Sequence, residues 1–155
     1  MPTLVSAQAS HSQTTAKDGP VSMQAEGTFD VKTTPLTEDQ VLDGTAIGCF
    51  ELDKQFHGDL EASSKGEMLG AGNPATGTAG YVAIEQVTGT LHGRTGSFAL
   101  QHFGTMVDNK FELIVKVVPG SGTGDLSSIA GAMSITIVSG RHSYKFEYTL
   151  PVATK

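Results

Sequence analysis

The fold is decided by the stretch His142-Ser143-Tyr144-Lys145-Phe146-Glu147-Tyr148-Thr149-Leu150, in which aromatic or apolar side chains alternate with small or charged ones. A β-strand places successive side chains on opposite faces, so a period of two indicates a strand with one face toward a core. The stretch therefore predicts a half-buried strand near the carboxyl end of the chain.

Similar segments recur along the whole chain, separated by glycine- and proline-containing turns. Further strands are predicted at 22–35, 45–53, 56–69 and 78–90, then around Phe98–Met106, at 111–118 and around Met133–Ile137. Residues 36–44 are predicted to form a polar connection with room for one helical turn. Eight strands joined mostly by short turns predict an all-β fold, an eight-stranded antiparallel β-barrel, with a two-sheet sandwich as the alternative.

Length and composition predict one domain and exclude several functional classes. At 155 residues the chain fits a single barrel domain over 21–155, preceded by a flexible polar arm over 1–20. The net charge of −6 and the scattered basic residues give no footprint for nucleic acid. One cysteine excludes an internal disulfide, and no run of apolar residues is long enough for a membrane span. The chain start does not resemble a signal peptide, so we expect a cytoplasmic protein that does not bind membranes.

Four carboxylates are candidates for catalysis. Asp59 and Glu61 share one strand parity, and Glu67 joins them unless Gly66 forms a bulge. Two carboxylates held close can share one proton, so that one acts as general base on a water and the other as general acid. The same alternation is typical of a solvated strand face, which is the competing explanation. Glu85 lies among apolar residues of its own parity, and its pKa should rise if it is buried.

Histidine and aromatic residues suggest other uses of the barrel interior. His102 lies on an apolar face, where a histidine is usually a hydrogen-bonded core residue. The three histidines His57, His102 and His142 could converge on a metal, but their spacing contains no metal motif, and no metal or cofactor is predicted. A ligand pocket would be lined by five aromatic or apolar side chains, namely Phe98, Leu100, Tyr144, Phe146 and Tyr148, with His102 orienting the ligand.

Several runs resemble a family of small bacterial proteins known as a domain of unknown function. They are Phe56-His57-Gly58-Asp59-Leu60-Glu61, Gly66-Glu67-Met68-Leu69, Gly80-Tyr81-Val82-Ala83-Ile84-Glu85, Leu100-Gln101-His102, Val117-Val118-Pro119-Gly120-Ser121-Gly122-Thr123-Gly124 and His142-Ser143-Tyr144. The resemblance spans about 22–150 and implies a barrel similar to allene oxide cyclase. It also implies an aspartic-type peptidase that processes its own precursor, although no Asp-Thr-Gly or Asp-Ser-Gly motif is present. Asp59, Glu61, Glu67, Glu85 and His102 fall within the matching runs.

Three hypotheses follow. The first is an aspartic-type, self-processing peptidase acting on a peptide or its own chain through paired carboxylates. The second is a barrel that binds a small hydrophobic ligand without catalysis. The third is a homo-oligomeric interaction module, because the segment 78–90 is apolar on both parities, with Val82 and Ile84 on one and Tyr81, Ala83 and Val87 on the other.

Overall fold

The computed structural model describes residues 20–38, 40–42 and 45–151. Its strands are β1 (Val21–Pro35), β2 (Gln40–Leu42), β3 (Thr45–Gly58), β4 (Leu60–Asn73), β5 (Thr78–Leu91), β6 (Arg94–Val107), β7 (Lys110–Val117), β8 (Ala130–Val138) and β9 (Arg141–Leu150). Two single 3-10 turns, Pro74–Thr76 and Gly124–Leu126, are the only helical elements in these ranges. The predicted arm over 1–20 lies outside the described residues except for Pro20.

The strands form a closed antiparallel barrel. Their order is β1-β9-β8-β7-β6-β5-β4-β3, and β3 pairs back with β1 to close the sheet on itself. Closure gives each of these eight strands two neighbours, so the sheet has no edge strand. The prediction of an all-β, eight-stranded barrel is therefore confirmed.

The connection over 36–44 differs from the prediction. Residues 40–42 form the short strand β2 instead of a helical turn, and β2 pairs with β3 beyond the end of β1. The amide of Leu36 donates to the carbonyl of Cys49 at 2.9 Å, so the chain stays against β3 as it leaves β1. The free edge of β3 offers backbone partners that a lone helical turn could not supply.

The predicted boundary between the second and third strands was wrong. The break lies at the β3–β4 hairpin, where Gly58 has φ = +107°, a conformation that glycine adopts without steric cost. Gly58 therefore ends β3, Asp59 lies in the turn, and β4 begins at Leu60. Gly66 forms no bulge, because the pairing of β4 with β5 is continuous from Leu60–Leu91 to Asn73–Thr78.

One end of the barrel is filled by an aromatic core. The rings of Phe98 and Phe146 stack at 5.6 Å between centroids, and Phe146 stacks on Tyr148 at 5.3 Å. The segment between β7 and β8 crosses this end and buries Leu126 and Ile129 beneath it. This end is therefore closed, and any internal space must lie toward the other end.

Candidate functional site

The open half of the barrel contains two adjoining cavities of about 510 and 470 Å³. They share the side chains of Met68, Tyr81, Met106 and Phe111. The cavity of about 470 Å³ receives side chains from all eight strands of the barrel; its lining is Phe29, Val31, Leu52, Lys54, Met68, Tyr81, His102, Met106, Phe111, Leu113, Ile135, Ile137 and His142. The predicted pocket lining was thus wrong except for His102, since Phe98, Leu100, Tyr144, Phe146 and Tyr148 pack into the core of the closed half.

The wall of the cavity of about 470 Å³ has the fewest paired residues between β7 and β8. These strands share only the pairs Val115–Met133 and Lys116–Ala132, whereas β6 and β7 are paired from Leu100–Val117 to Val107–Lys110. From Val115 toward the start of β7, and from Met133 toward the end of β8, the two strands share no further pairs. The side chains that face this gap are Phe111, Leu113, Ile135 and Ile137, all of which line the cavity. The side chains that these two strands contribute to the cavity are thus all apolar.

A buried charged cluster borders the cavity. The Nζ of Lys54 lies 3.0 Å from Oε1 and 2.9 Å from Oε2 of Glu85. Nε2 of His102 lies 3.3 Å from Oε1 of Glu85, and the hydroxyl of Ser64 donates to Oε2 at 3.1 Å. All four residues are buried. Both oxygens of the carboxylate are satisfied, as a charge removed from water requires.

Neighbouring strands make room for this cluster. Gly66 is paired with Glu85, and a Cβ at Gly66 would lie 2.5 Å from the Glu85 Cα. Lys54 extends along the inner face of the sheet, with its Nζ 5.0 Å from the centroid of Phe29 and 5.9 Å from that of Phe56. The negative faces of these rings favour the ammonium group.

The electrostatics of Glu85 differ from the expectation. Burial by itself raises the pKa of Glu85, but the hydrogen bond from His102 and the charge of Lys54 outweigh it, and the pKa is lowered. The predicted rise was therefore wrong, because it considered burial without the partners. The carboxylate is ionised at neutral pH and is balanced by the Lys54 ammonium.

Tyr81 supplies a second polar group to the cavities. Burial, together with the nearby charge of Glu85, raises the pKa of Tyr81 to about 12. Its ring stacks on Phe111 at 6.2 Å and lies against Gly104, where a Cβ would be 2.3 Å from the ring. The ring is thus held in place, and its hydroxyl stays protonated and able to donate.

The predicted site residues separate into two groups. Glu85 and His102 lie together in the barrel, whereas Asp59, Glu61 and Glu67 are exposed. Glu61 is paired with Thr90, which is five residues from Glu85 along β5, or roughly 16 Å. Glu67 is paired with Ile84, next to Glu85, but its side chain is exposed on the outer face of the sheet whereas that of Glu85 is buried. The structure therefore does not bring Glu85 together with the exposed carboxylates on one face.

The exposed carboxylates near the β3–β4 hairpin have backbone partners. Asp59 accepts a hydrogen bond from the amide of Glu26 at 2.9 Å, and Glu61 accepts one from the amide of Gly58 at 2.8 Å. His92 lies 3.6 Å from the Asp59 carboxylate, and its Nδ1 is 2.6 Å from the Tyr148 hydroxyl. These contacts tie two hairpins to the closed end of the barrel.

Sequence reasoning did not identify Lys54 as a site residue. The available signal was its parity, because Lys54 alternates with exposed positions and shares a face with Leu52 and Phe56. A lysine on the core face of a strand needs a buried acid as partner, and Glu85 has the matching environment. Ser64, which shares the inward parity of Leu60 and Ala62, was missed for the same reason.

Two kinds of feature are absent from the described residues. No group of three histidine, cysteine or acidic side chains is arranged to hold a metal ion there. None of the helical segments in the described ranges has the length and apolarity to span a membrane.

The fold and site define a closed β-barrel whose open half encloses an apolar cavity with a buried ion pair. The chain belongs to the family described as "Protein of unknown function (DUF3224)", whose model matches residues 25–148. It is similar to the crystal structure at 1.84 Å of a DUF3224 protein of unknown function from Shewanella oneidensis MR-1. The two chains are 48% identical with a TM-score of 0.79, over 86% of this chain and 100% of the other. No curated protein matches the sequence.

Proposed function

We propose that the protein binds a small, uncharged, mostly apolar molecule carrying one hydrogen-bonding oxygen. The observation that carries the proposal is the cavity of about 470 Å³ with the Lys54–Glu85–His102 cluster at its edge. Ligand pockets have volumes of about 300–1,000 Å³ and combine an apolar lining with a few polar groups. This cavity fits that description in size and chemistry.

The charge of the cluster selects an uncharged ligand. The ionised Glu85 is balanced by Lys54, so this ion pair has no excess charge to offset a charged molecule in an apolar cavity. A free carboxylate would also be repelled by Glu85. A hydroxyl or carbonyl group can still be recognised, because Lys54 has three N–H donors and its hydrogen bond to Oε1 of Glu85 uses one of them. The neutral hydroxyl of Tyr81 is a further donor.

A neutral, solvatochromic, carbonyl-containing dye tests the proposal. Its fluorescence should rise and shift to the blue on binding to the full-length protein, and an excess of a long-chain alcohol should displace it. Leu113→Trp places an indole among the cavity-lining side chains of β7 and β8 and should weaken dye binding at least tenfold. Glu112→Trp adds the same ring to the exposed face of β7 and is the matched control.

Dye binding to the two variants distinguishes a ligand inside the barrel from one bound elsewhere. Dye binding that Leu113→Trp abolishes and Glu112→Trp preserves supports binding inside the barrel. Equal binding to both variants, or none to the native protein, overturns the proposal. Native mass spectrometry of the purified protein would in addition detect a neutral molecule retained from the cell.

The contacts of the carboxylates favour ligand binding over the aspartic-type peptidase hypothesis. That mechanism needs two carboxylates that share a proton, whereas Glu85 is paired with Lys54, and Asp59 and Glu61 each hold a backbone amide. Self-processing stays a prediction that intact mass measures directly. Fragments that form faster in acid and disappear in Asp59→Ala or Glu85→Ala would restore it.

A further inference from the structure

The outer face of the barrel carries a continuous apolar row across four strands. Leu69 on β4 is paired with Val82 on β5, Val82 with Phe103 on β6, and Phe103 with Ile114 on β7. Ile84 adds to this row from the next outward position of β5. We call these five residues the outer apolar row.

The outer apolar row is large for a surface of a monomer. Its side chains are between 48% and 60% exposed, which leaves roughly 500 Å² of contiguous apolar surface, near the upper end of what single-chain proteins expose. A standard interface needs about 800 Å² from each partner, with an apolar centre and a polar rim. The row supplies the centre, and the polar residues beside it supply the rim.

The rim is charged in a self-complementary way. Beside the outer apolar row runs a second row of register partners, Glu67–Ile84–Gln101–Lys116, with the acid on β4 and the base on β7. Neither Glu67 nor Lys116 forms an ion pair within the described part of the chain. Their charges stand at opposite ends of one row, on either side of Ile84 and Gln101.

A twofold axis that lies in the plane of contact, parallel to the strands and between β5 and β6, would bring these opposite charges together. Such a rotation lays β4 of one copy over β7 of the other and keeps each row in its own register. Glu67 then faces Lys116 of the second copy, and the pair occurs twice because a twofold interface is isologous. Long side chains at the two margins can reach across the diverging surfaces of the barrels.

We propose that the outer apolar row is a homodimer interface, with a second copy of this chain as its occupant. Phe103 and Val82 lie at its centre, and two symmetric Glu67–Lys116 pairs set the relative orientation of the copies. The interface is independent of the cavity, because these side chains point outward from the barrel. Failure of dye binding would therefore leave this proposal untouched.

Sedimentation velocity of the full-length protein tests the interface. The native chain should sediment as a dimer that dissociates on dilution, and Phe103→Arg should give a monomer. Val138→Arg introduces the same charge at an exposed apolar position of β8, outside the row, and should remain dimeric. Urea unfolding of both variants checks that each is folded.

Charge reversal tests the orientation and the identity of the occupant. Glu67→Lys or Lys116→Glu alone should weaken the dimer roughly tenfold, because each change acts at both symmetric pairs. The double variant Glu67→Lys/Lys116→Glu should regain native affinity. A native chain that is monomeric at all concentrations, or a double variant no better than the single ones, would overturn the proposal.

Discussion

Lys54→Met is the most informative perturbation of the buried cluster. Methionine keeps an unbranched stem beside Phe29 and Phe56 but removes the charge that lies 2.9 Å from Glu85. Breaking a buried ion pair by removing one partner costs about 3–5 kcal/mol, because the remaining charge is left uncompensated. His102 and Ser64 still donate to the carboxylate, so we expect a loss at the lower limit, about 3 kcal/mol at pH 7.

The stability lost in Lys54→Met should depend on pH. The contribution of Glu85 to the free energy of unfolding should change with pH in opposite directions in the variant and in the native protein. The native pKa of Glu85 is lowered, so its contribution is present above the unfolded carboxyl pKa and is lost as the pH falls through the folded pKa. In Lys54→Met, burial is no longer opposed by the lysine charge, and the pKa of Glu85 should rise. The deficit should then be smallest near pH 4–5 and grow toward neutral pH, by at most about 1.4 kcal/mol per pH unit.

Urea unfolding followed by circular dichroism, at pH 5 and pH 7, measures both effects. Lys54→Met/Glu85→Gln removes both charges and keeps an amide oxygen for the Ser64 hydroxyl, so it should recover most of the lost stability. A single variant that loses less than about 1 kcal/mol with no dependence on pH would refute the reasoning. A double variant as unstable as the single one would also refute it.

Two pairs of substitutions test the closed end of the barrel and the contacts between strands. Tyr144→Phe leaves the buried amide of Leu60, now 3.0 Å from the hydroxyl, without that acceptor, and should lower the free energy of unfolding by about 1–3 kcal/mol. Tyr148→Phe should lower the free energy of unfolding by about 1 kcal/mol or less, because water can reach its partner, the partly exposed imidazole of His92. An equal loss in Tyr144→Phe and Tyr148→Phe would contradict this account. Gly66→Ala places a Cβ 2.2 Å from a carbonyl oxygen of β5 and should destabilise by about 1–3 kcal/mol in thermal and urea unfolding. Gly70→Ala meets its nearest neighbour at 3.8 Å and should be neutral or slightly stabilising, so a similar loss in both would show that the contact at Gly66 is not the cause.

The alternation of side chains predicted the faces of the strands well. Phe146 and Tyr148 were assigned to the core face of β9 and are buried there, and the shared outward parity of Glu61 and Glu67 is observed. This succeeds because the direction of a side chain in a strand depends only on local backbone geometry. The β3–β4 turn was misplaced, although Gly58-Asp59 is a typical turn dipeptide.

The alternation along a strand shows which face a side chain is on, but it does not show how far along the barrel axis the residue lies. Asp59 and Glu85 were both candidates, but the register separates the exposed hairpin from the buried cluster. Glu85 and His102 meet because β5 and β6 pair in a register that sets Ala83 opposite His102. That register is fixed by turn geometry and by pairing around the closed sheet, which no single strand encodes.

The alternation along the chain was enough to predict an all-β barrel, the core-facing side of strands such as β9, and an acid and a histidine among apolar residues of their own parity. Folding was needed to show which half of the barrel is packed and which holds cavities, and that Lys54 of β3 reaches past β4 to neutralise Glu85 of β5. An apolar side chain has the same signature in a sequence whether it fills a core or lines a cavity. The difference depends on how closely side chains from distant strands approach one another, and that distance is set by closure of the barrel.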